Sequence, residues 1–254
     1  SIVDYSKLRS KKKNFVEIGY MLIDKSILKL LSKDMKNFSQ FLELSSKKKL
    51  ISGKIIDAEY LSIGDKKRLH ETKKYFSNND ILLTDRDGTL NLIPDFERYL
   101  LDPSKIELNL KLVKKLPVQA KYICISNQAG LATGDLKKKN LININNLIRN
   151  KLLKFNINIK DFFISPHHFK SKSFFRKPRP GMFIEASKKY KFMLDKTFYI
   201  GDDVRDIEAA YNANTFIFYI GKKKLNAKQN YKFRYTLLKN NLKKIFKKKM
   251  KYEF

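Results

Sequence analysis

Residues Ile81 to Leu90 read ILLTDRDGTL, and this stretch decides the fold. Ile81 to Thr84 form a short apolar run suited to a buried strand. Two acids, Asp85 and Asp87, follow at its end, and Gly88-Thr89 turns the chain. An apolar strand that ends in D-x-D-G-T puts two carboxylates and several backbone N–H groups at the carboxyl edge of a sheet. In open α/β sheets ligands bind at that edge. One carboxylate can act as a nucleophile, and the one two residues on can act as acid and base. Taken alone, a strand followed by an Asp-Gly turn has an ordinary structural explanation, so the rest of the chain has to supply the argument.

Working outward, apolar runs bounded by turn signals recur at Tyr122–Ser126, Asp161–Ile164, Thr197–Ile200 and Thr215–Ile220. Helical periodicity fills the gaps over Leu108–Leu116, Lys137–Phe155, Met182–Tyr190 and Val204–Asn212. Strand and helix in alternation predict an α/β fold with a doubly wound parallel sheet, Rossmann-like and without room for a large cap domain. The polar stretch Phe76-Ser77-Asn78-Asn79-Asp80 marks a boundary, with one domain over 1–78 and a second over 79–254. In the first, the pattern predicts a strand over Phe15–Ile23, helices over Lys25–Leu31, Asp34–Lys49 and Asp65–Phe76, and a short strand over Lys54–Ala58. The tail after Gly221 is Lys-rich and predicts an amphipathic helix with Leu237, Leu238, Leu242 and Phe246 inward.

Composition narrows the function classes. The 254 residues are 43% hydrophobic, enough for a core, and no apolar run reaches the length of a membrane span. The first residues carry no signal-peptide pattern. The chain begins at Ser1 rather than Met, which suggests a piece of a longer protein. The single Cys124 excludes an internal disulfide and any cysteine-rich zinc cluster, and it fits a reducing cytoplasm. The net charge of +30 raises nucleic acid or an anionic surface as a partner. The cations are mostly Lys, however, and they are scattered. Arg is the preferred residue for bidentate phosphate and base contacts. Specific nucleic-acid binding and membrane attachment are therefore not expected, although a basic surface should draw anionic substrates to a site.

Three segments join the first motif. YICISNQAG, Tyr122 to Gly130, ends a strand in Ser126-Asn127, a hydroxyl and an amide able to hold phosphate oxygens. RKPRPGM, from Arg176, holds Lys177 in a rigid turn. FYIGDDVRD, Phe198 to Asp206, again places acids after an apolar strand, at the start of a helix where the dipole favours negative charge. Each has a plain alternative: a helix cap, a solvated loop, a capping acid. Their joint occurrence in this order does not.

The constellation resembles the haloacid dehalogenase-like phosphohydrolases over residues 80–222. DRDGTLN, SNQAG, SPHH, RKPRPGM and IGDDVRDIEAA are similar to the branch of histidinol-phosphate and D,D-heptose 1,7-bisphosphate phosphatases. The resemblance implies Asp85 as nucleophile, forming an aspartyl-phosphate, and Asp87 as general acid and base. It implies Mg²⁺ on Asp85, the backbone carbonyl of Asp87, and Asp202. Ser126, Asn127 and Lys177 would bind phosphate, and Gln128 and Arg176 would orient substrate. Asp203 and Asp206 would assist the metal indirectly or cap the helix. The heptose branch usually carries a zinc held by C-x-H and C-x-C. Here Ser165-Pro166-His167, Ser173 and Phe175 stand in those places, so zinc is not expected, and His167 and His168 become loop-packing residues.

Before this unit, VEIGYMLIDKSILKLL and EYLSIGDKKRLHETKKYF resemble the carboxyl-terminal part of a sugar-phosphate nucleotidyltransferase, over residues 1–76. Ser62 stands where that family has a metal-binding Asp, so no nucleotidyl transfer is expected. A small α/β appendage is the alternative. The pairing favours a sugar phosphate, heptose 1,7-bisphosphate, in nucleotide-heptose and surface-polysaccharide synthesis. Histidinol phosphate and a polynucleotide 3′-phosphate are the other substrates, and a basic, non-catalytic binding module is the non-enzymatic reading. The presence of Asp85, Asp87, Ser126, Lys177 and Asp202 together argues against that last one.

Overall fold

A computed structural model describes residues 5, 21–55, 61–78, 80–94 and 100–233. The strand expected over Phe15–Ile23, most of that over Lys54–Ala58, and the part of the tail helix with Leu237, Leu238, Leu242 and Phe246 lie wholly or partly outside them. Residues 21–23 and 54–55, which are described, are not strand.

The chain divides into two compact units, 1–61 and 62–254. In the first, a 3-10 turn, Lys25–Leu30, replaces part of an expected helix, and helix α1 spans Phe38–Lys47. Asn37 caps α1 by accepting from Gln40 N, which starts the helix four residues later than its periodicity suggested.

The division lies N-terminal to the expected boundary at 78/79. Helix α2, Lys66–Tyr75, falls in the second unit. The segment after it is tied there too: Asn78 N donates to Lys191 O, Asn78 Nδ2 donates to Tyr190 O, and Ser77 bridges Phe192. Lys191 Nζ sits 4.4 Å over the Tyr75 ring.

The second unit continues as β1 (Ile81–Thr84), α3 (Leu110–Val113), β2 (Lys121–Asn127), α4 (Gly130–Thr133), α5 (Lys138–Leu153), β3 (Asn158–Ser165), α6 (Gly181–Tyr190), β4 (Phe198–Gly201), α7 (Val204–Asn212), β5 (Phe216–Tyr219) and α8 (Ala227–Phe233). The five strands are all parallel in the order β3-β2-β1-β4-β5. This is the doubly wound sheet that the alternation predicted. Successive residues of a strand face opposite sides, and both sides are filled. Leu82, Tyr122 and Cys124 pack with Ile144, Ile148 and Leu152 of α5. Ile81, Leu83, Ile123 and Ile125 pack with Phe183 of α6 and Ile207 and Ala210 of α7. Burial on both faces explains why the strands read as unbroken apolar runs.

Two elements differ from the pattern. The helix expected over Leu108–Leu116 shrinks to one turn, because Asn109 caps it at Leu110 and Leu108 is held in a bridge with Asn91. Strand β3 begins three residues earlier than expected. It lies at the sheet edge, where Ile159 is buried between exposed Asn158 and Lys160. Among the described residues, no helix is long and apolar enough to cross a membrane.

The strand order reverses its direction of growth at β1 and β4. There the loops leave to opposite sides and open a crevice at the carboxyl ends. Asp85 follows β1, Ser126 lies near the end of β2, and Asp202 follows β4.

Candidate active site

The ladder itself places the first acid: Asp85 N donates to Ile200 O at 2.8 Å, extending the β1–β4 pairing by one residue. The chain then turns tightly. The Arg86 carbonyl accepts from the N–H groups of Thr89, Leu90 and Asn91, and Gly88 takes a φ of +83°. Thr89 Oγ1 donates to Asp202 Oδ1 at 2.7 Å, which ties the turn to the acid after β4.

Gly88 is needed here for two reasons. Its positive φ strains any L side chain, and a Cβ would stand 2.7 Å from Asp202 Cγ. Gly88→Ala should therefore displace the Asp202 carboxylate. We expect at least a tenfold fall in kcat/KM with a higher Mg²⁺ requirement, and a backbone cost of about 1–3 kcal/mol. A Mg²⁺ titration of activity on folded variant protein checks this; an unchanged titration curve contradicts it.

Asp85, Asp202 and Asp206 bring carboxylate oxygens within 4.8 Å of one another. Lys177, 5% exposed, enters this cluster from the loop before α6. Its Nζ lies 2.7 Å from Asp206 Oδ1, 2.9 Å from Tyr199 Oη and 2.8 Å from Asp85 Oδ1. The last is a charge-assisted contact to the buried Oδ1 of Asp85. Burial pushes the Asp85 carboxyl up to about 8 against the opposing pull of Lys177. Burial would lower Lys177, but Asp206 and Asp85 outweigh it and hold the ammonium above its usual range. Burial also raises Asp202, partly offset by the bond from Thr89.

Excess buried negative charge and three carboxylates whose oxygens lie within 4.8 Å of one another fit a hard divalent cation with oxygen ligands, as Mg²⁺ is. Cys124, by contrast, is a buried thiol whose ionisation burial disfavours, so it is a core residue.

The remaining expected residues divide. Ser126 Oγ, 1% exposed, accepts from Gln128 Nε2 at 2.9 Å. Gln128 was expected to touch substrate, but its side chain is fully buried, and it also donates to Asp87 Oδ2 at 2.8 Å. It links Ser126 to Asp87. Asn127 was expected to bind phosphate. Both ends of its amide are used by the main chain of Lys177, donating to Lys177 O and accepting from Lys177 N, each at 3.0 Å. It sets the lysine's position. Arg176 Nη1 donates to His167 O at 3.0 Å and so braces the loop. His168 Nδ1 accepts from Lys170 N, and its ring centroid lies 4.0 Å from that of Phe169, tilted by 36°.

Asp203 and Asp206 form a capping box on α7. Asp203 accepts from Arg205 N, and Asp206 Oδ2 accepts from the N–H groups of Asp202 and Asp203. Asp206 thus caps the helix with one oxygen and holds Lys177 with the other. The Asp87 carboxylate lies outside the metal-type cluster, in bonds with Arg86, Asn91 and Gln128. Sequence reading missed Arg86, Thr89, Asn91, Asn145 and Tyr199. The run DRDGTLN contained the first three but offered no sign of their partners.

Set against known proteins, the chain matches the family model for polynucleotide kinase 3 phosphatase over residues 95–216. It is 31% identical over 143 residues to a D-glycero-alpha-D-manno-heptose-1,7-bisphosphate 7-phosphatase of Photorhabdus laumondii, covering 52% of this chain and 77% of that one. It is 33% identical over 136 residues to the histidine biosynthesis bifunctional protein HisB of Campylobacter jejuni, covering 52% of this chain and 39% of that one. The crystal structure of a D,D-heptose 1,7-bisphosphate phosphatase from B. bronchiseptica, complexed with magnesium and phosphate, superposes with a TM-score of 0.54. At 20% identity it covers 67% of this chain and 98% of that one, and it shares the fold. The chain belongs to the haloacid dehalogenase-like phosphatases. It is related to the heptose-bisphosphate and histidinol-phosphate phosphatases, and it is a phosphomonoesterase.

Proposed function

We propose that this phosphatase hydrolyses a sugar phosphate, heptose 1,7-bisphosphate, through an aspartyl-phosphate on Asp85. The observation that carries this is the meeting of Asp85, Lys177 and Asp202 at the carboxyl edge of β1 and β4. A carboxylate oxygen of Asp85 attacks phosphorus, and the bond from phosphorus to the sugar oxygen breaks. Asp87 gives its proton to the departing alkoxide. Asp87 then takes a proton from water, which attacks the phosphorus and releases inorganic phosphate and Asp85. Ser126 and Lys177 donate to the phosphoryl oxygens as charge builds on them. Asp85, Asp202 and the backbone carbonyl of Asp87 would hold Mg²⁺, which would supply neutralisation of nucleophile and phosphate charge.

The heptose substrate is supported by the names of the relatives and by the nucleotidyltransferase-like motifs within residues 1–76. The nucleotidyltransferase-like reading of residues 1–76 rests on those motifs alone. The lone buried Cys124 supports a cytoplasmic setting.

A second reading, a phosphatase of polynucleotide 3′-phosphates, is favoured by the family-model match and by the charge of +30. Phosphate release with Mg²⁺ from heptose 1,7-bisphosphate, histidinol phosphate and a 3′-phosphorylated oligonucleotide separates the readings. We expect the heptose to give the highest kcat/KM. A dominant oligonucleotide rate that falls steeply with salt would replace it with the second reading.

A further inference from the structure

Between the two motif acids stands Arg86, a charged side chain with 0% exposure. Its guanidinium spends three N–H groups on two partners. Nε donates to Asp87 Oδ1 at 3.0 Å and Nη2 to Asp87 Oδ2 at 2.8 Å. Nη1 donates to Asn145 Oδ1 at 2.9 Å, in the middle of α5. Burying a guanidinium is costly unless it is paired and hydrogen-bonded. Charge neutralisation alone would not need the fork, because a lysine supplies a point charge. The fork does something else: two parallel bonds fix the plane of a carboxylate. Asn145 fixes the fork in turn, on helix α5, whose apolar face packs with Leu82 of β1 and with Tyr122 and Cys124 of β2. Asn91 Nδ2 and Gln128 Nε2 complete the set, one donor more to each oxygen of Asp87, at 3.1 and 2.8 Å. Asp87 is therefore held at both oxygens, each accepting from the Arg86 guanidinium and from one side-chain amide.

We propose that Arg86, oriented by Asn145, is a positioning residue that aims the Asp87 carboxyl at the leaving-group oxygen. This rests on the reading of Asp87 as general acid. Arg86 touches neither phosphate nor leaving group; it acts only through Asp87. Its loss should then be felt where a proton must be delivered, and little where it need not be.

The test compares two phosphate monoesters: an unactivated sugar phosphate, whose alkoxide needs a proton to depart, and p-nitrophenyl phosphate, whose phenolate does not. The rate of phosphoryl transfer to Asp85 is measured in a single turnover by rapid quench, so that later hydrolysis does not enter. Asp87→Asn is the reference and should slow the sugar phosphate by about 10²–10⁴-fold while slowing p-nitrophenyl phosphate far less. Arg86→Lys keeps the charge without the fork. It should slow the sugar phosphate by about 10–100-fold and p-nitrophenyl phosphate by less than about threefold, with KM for both nearly unchanged, on the same acid-catalysis scale. Asn145→Ala, which leaves the Arg86–Asp87 pair in place, should show the same asymmetry at about 3–10-fold and serves if Arg86→Lys does not fold.

Equal slowing of both esters, or none, in folded Arg86→Lys or Asn145→Ala, beside an asymmetric Asp87→Asn, overturns the role of Arg86 alone. A symmetric Asp87→Asn overturns the acid reading and this inference with it.

Discussion

Asp85→Asn should abolish turnover of every substrate while leaving the fold intact. The amide is isosteric but cannot form the covalent intermediate, and removal of a nucleophile from an assembled site costs on the order of 10⁵–10⁶-fold. Steady-state phosphate release and acid-quench trapping of the phosphoenzyme read this out; a residual rate above about 1% of wild type would exclude Asp85 as nucleophile. The same variant carries a stability signature of the opposite sign. Burial raises the Asp85 carboxyl from its ordinary 3.8 to about 8 in the metal-free site. The folded protein therefore holds this proton more tightly than the unfolded chain does. The stabilisation is present in full below about pH 4 and is lost as pH rises toward 8. Metal-free wild type should lose melting temperature relative to Asp85→Asn between pH 5 and pH 8, and Mg²⁺ should restore it. A constant difference between the two proteins across that range would contradict the assignment.

The second large effect belongs to Lys177→Met. Asp85 and Asp206 would be left buried beside Asp202 without the cation that both contact. Removing one partner of a buried ion pair costs about 3–5 kcal/mol, a large share of the roughly 5–15 kcal/mol available to a domain. We expect a urea midpoint lowered accordingly and activity lost. Adding Asp206→Asn relieves the surplus charge, so the double variant should recover stability without recovering activity. Recovery of both would mean that Lys177 serves the fold and not the chemistry. Loss of neither in the single variant would mean that the cluster is less buried than its contacts indicate.

The sequence was most readable where local pattern and global fold agree. The β1 bounds and the bounds of α7 match their apolar periods, and the acids after β1 and β4 meet because the strand order brings the two ends side by side. The reading failed where a residue's role is set by a distant partner. Nothing local distinguishes an Asn127 that binds phosphate from one that grips the main chain of Lys177. Tyr199 looks like any β-propensity residue in FYIG, yet its hydroxyl donates to Asp206 and accepts from Lys177. Arg86 sits in the most informative decapeptide of the chain and still passes as a surface cation, since only the tertiary fold shows the guanidinium enclosed. The helix over Leu108–Leu116 failed for the converse reason: good periodicity was overruled by the Asn91–Leu108 bridge.

The placement of β1 at the middle of the sheet also fixes when the site can exist. One edge of β1 finds its neighbour in β2, soon after in the chain, but the other waits for β4. The bond that joins the DGT turn to the second acid spans 113 residues. Loop closure over such a distance is slow and late in folding. During synthesis, the nucleophile's strand therefore stands with one open edge until β4 has emerged, and the two acids meet only after the intervening crossover elements have been made.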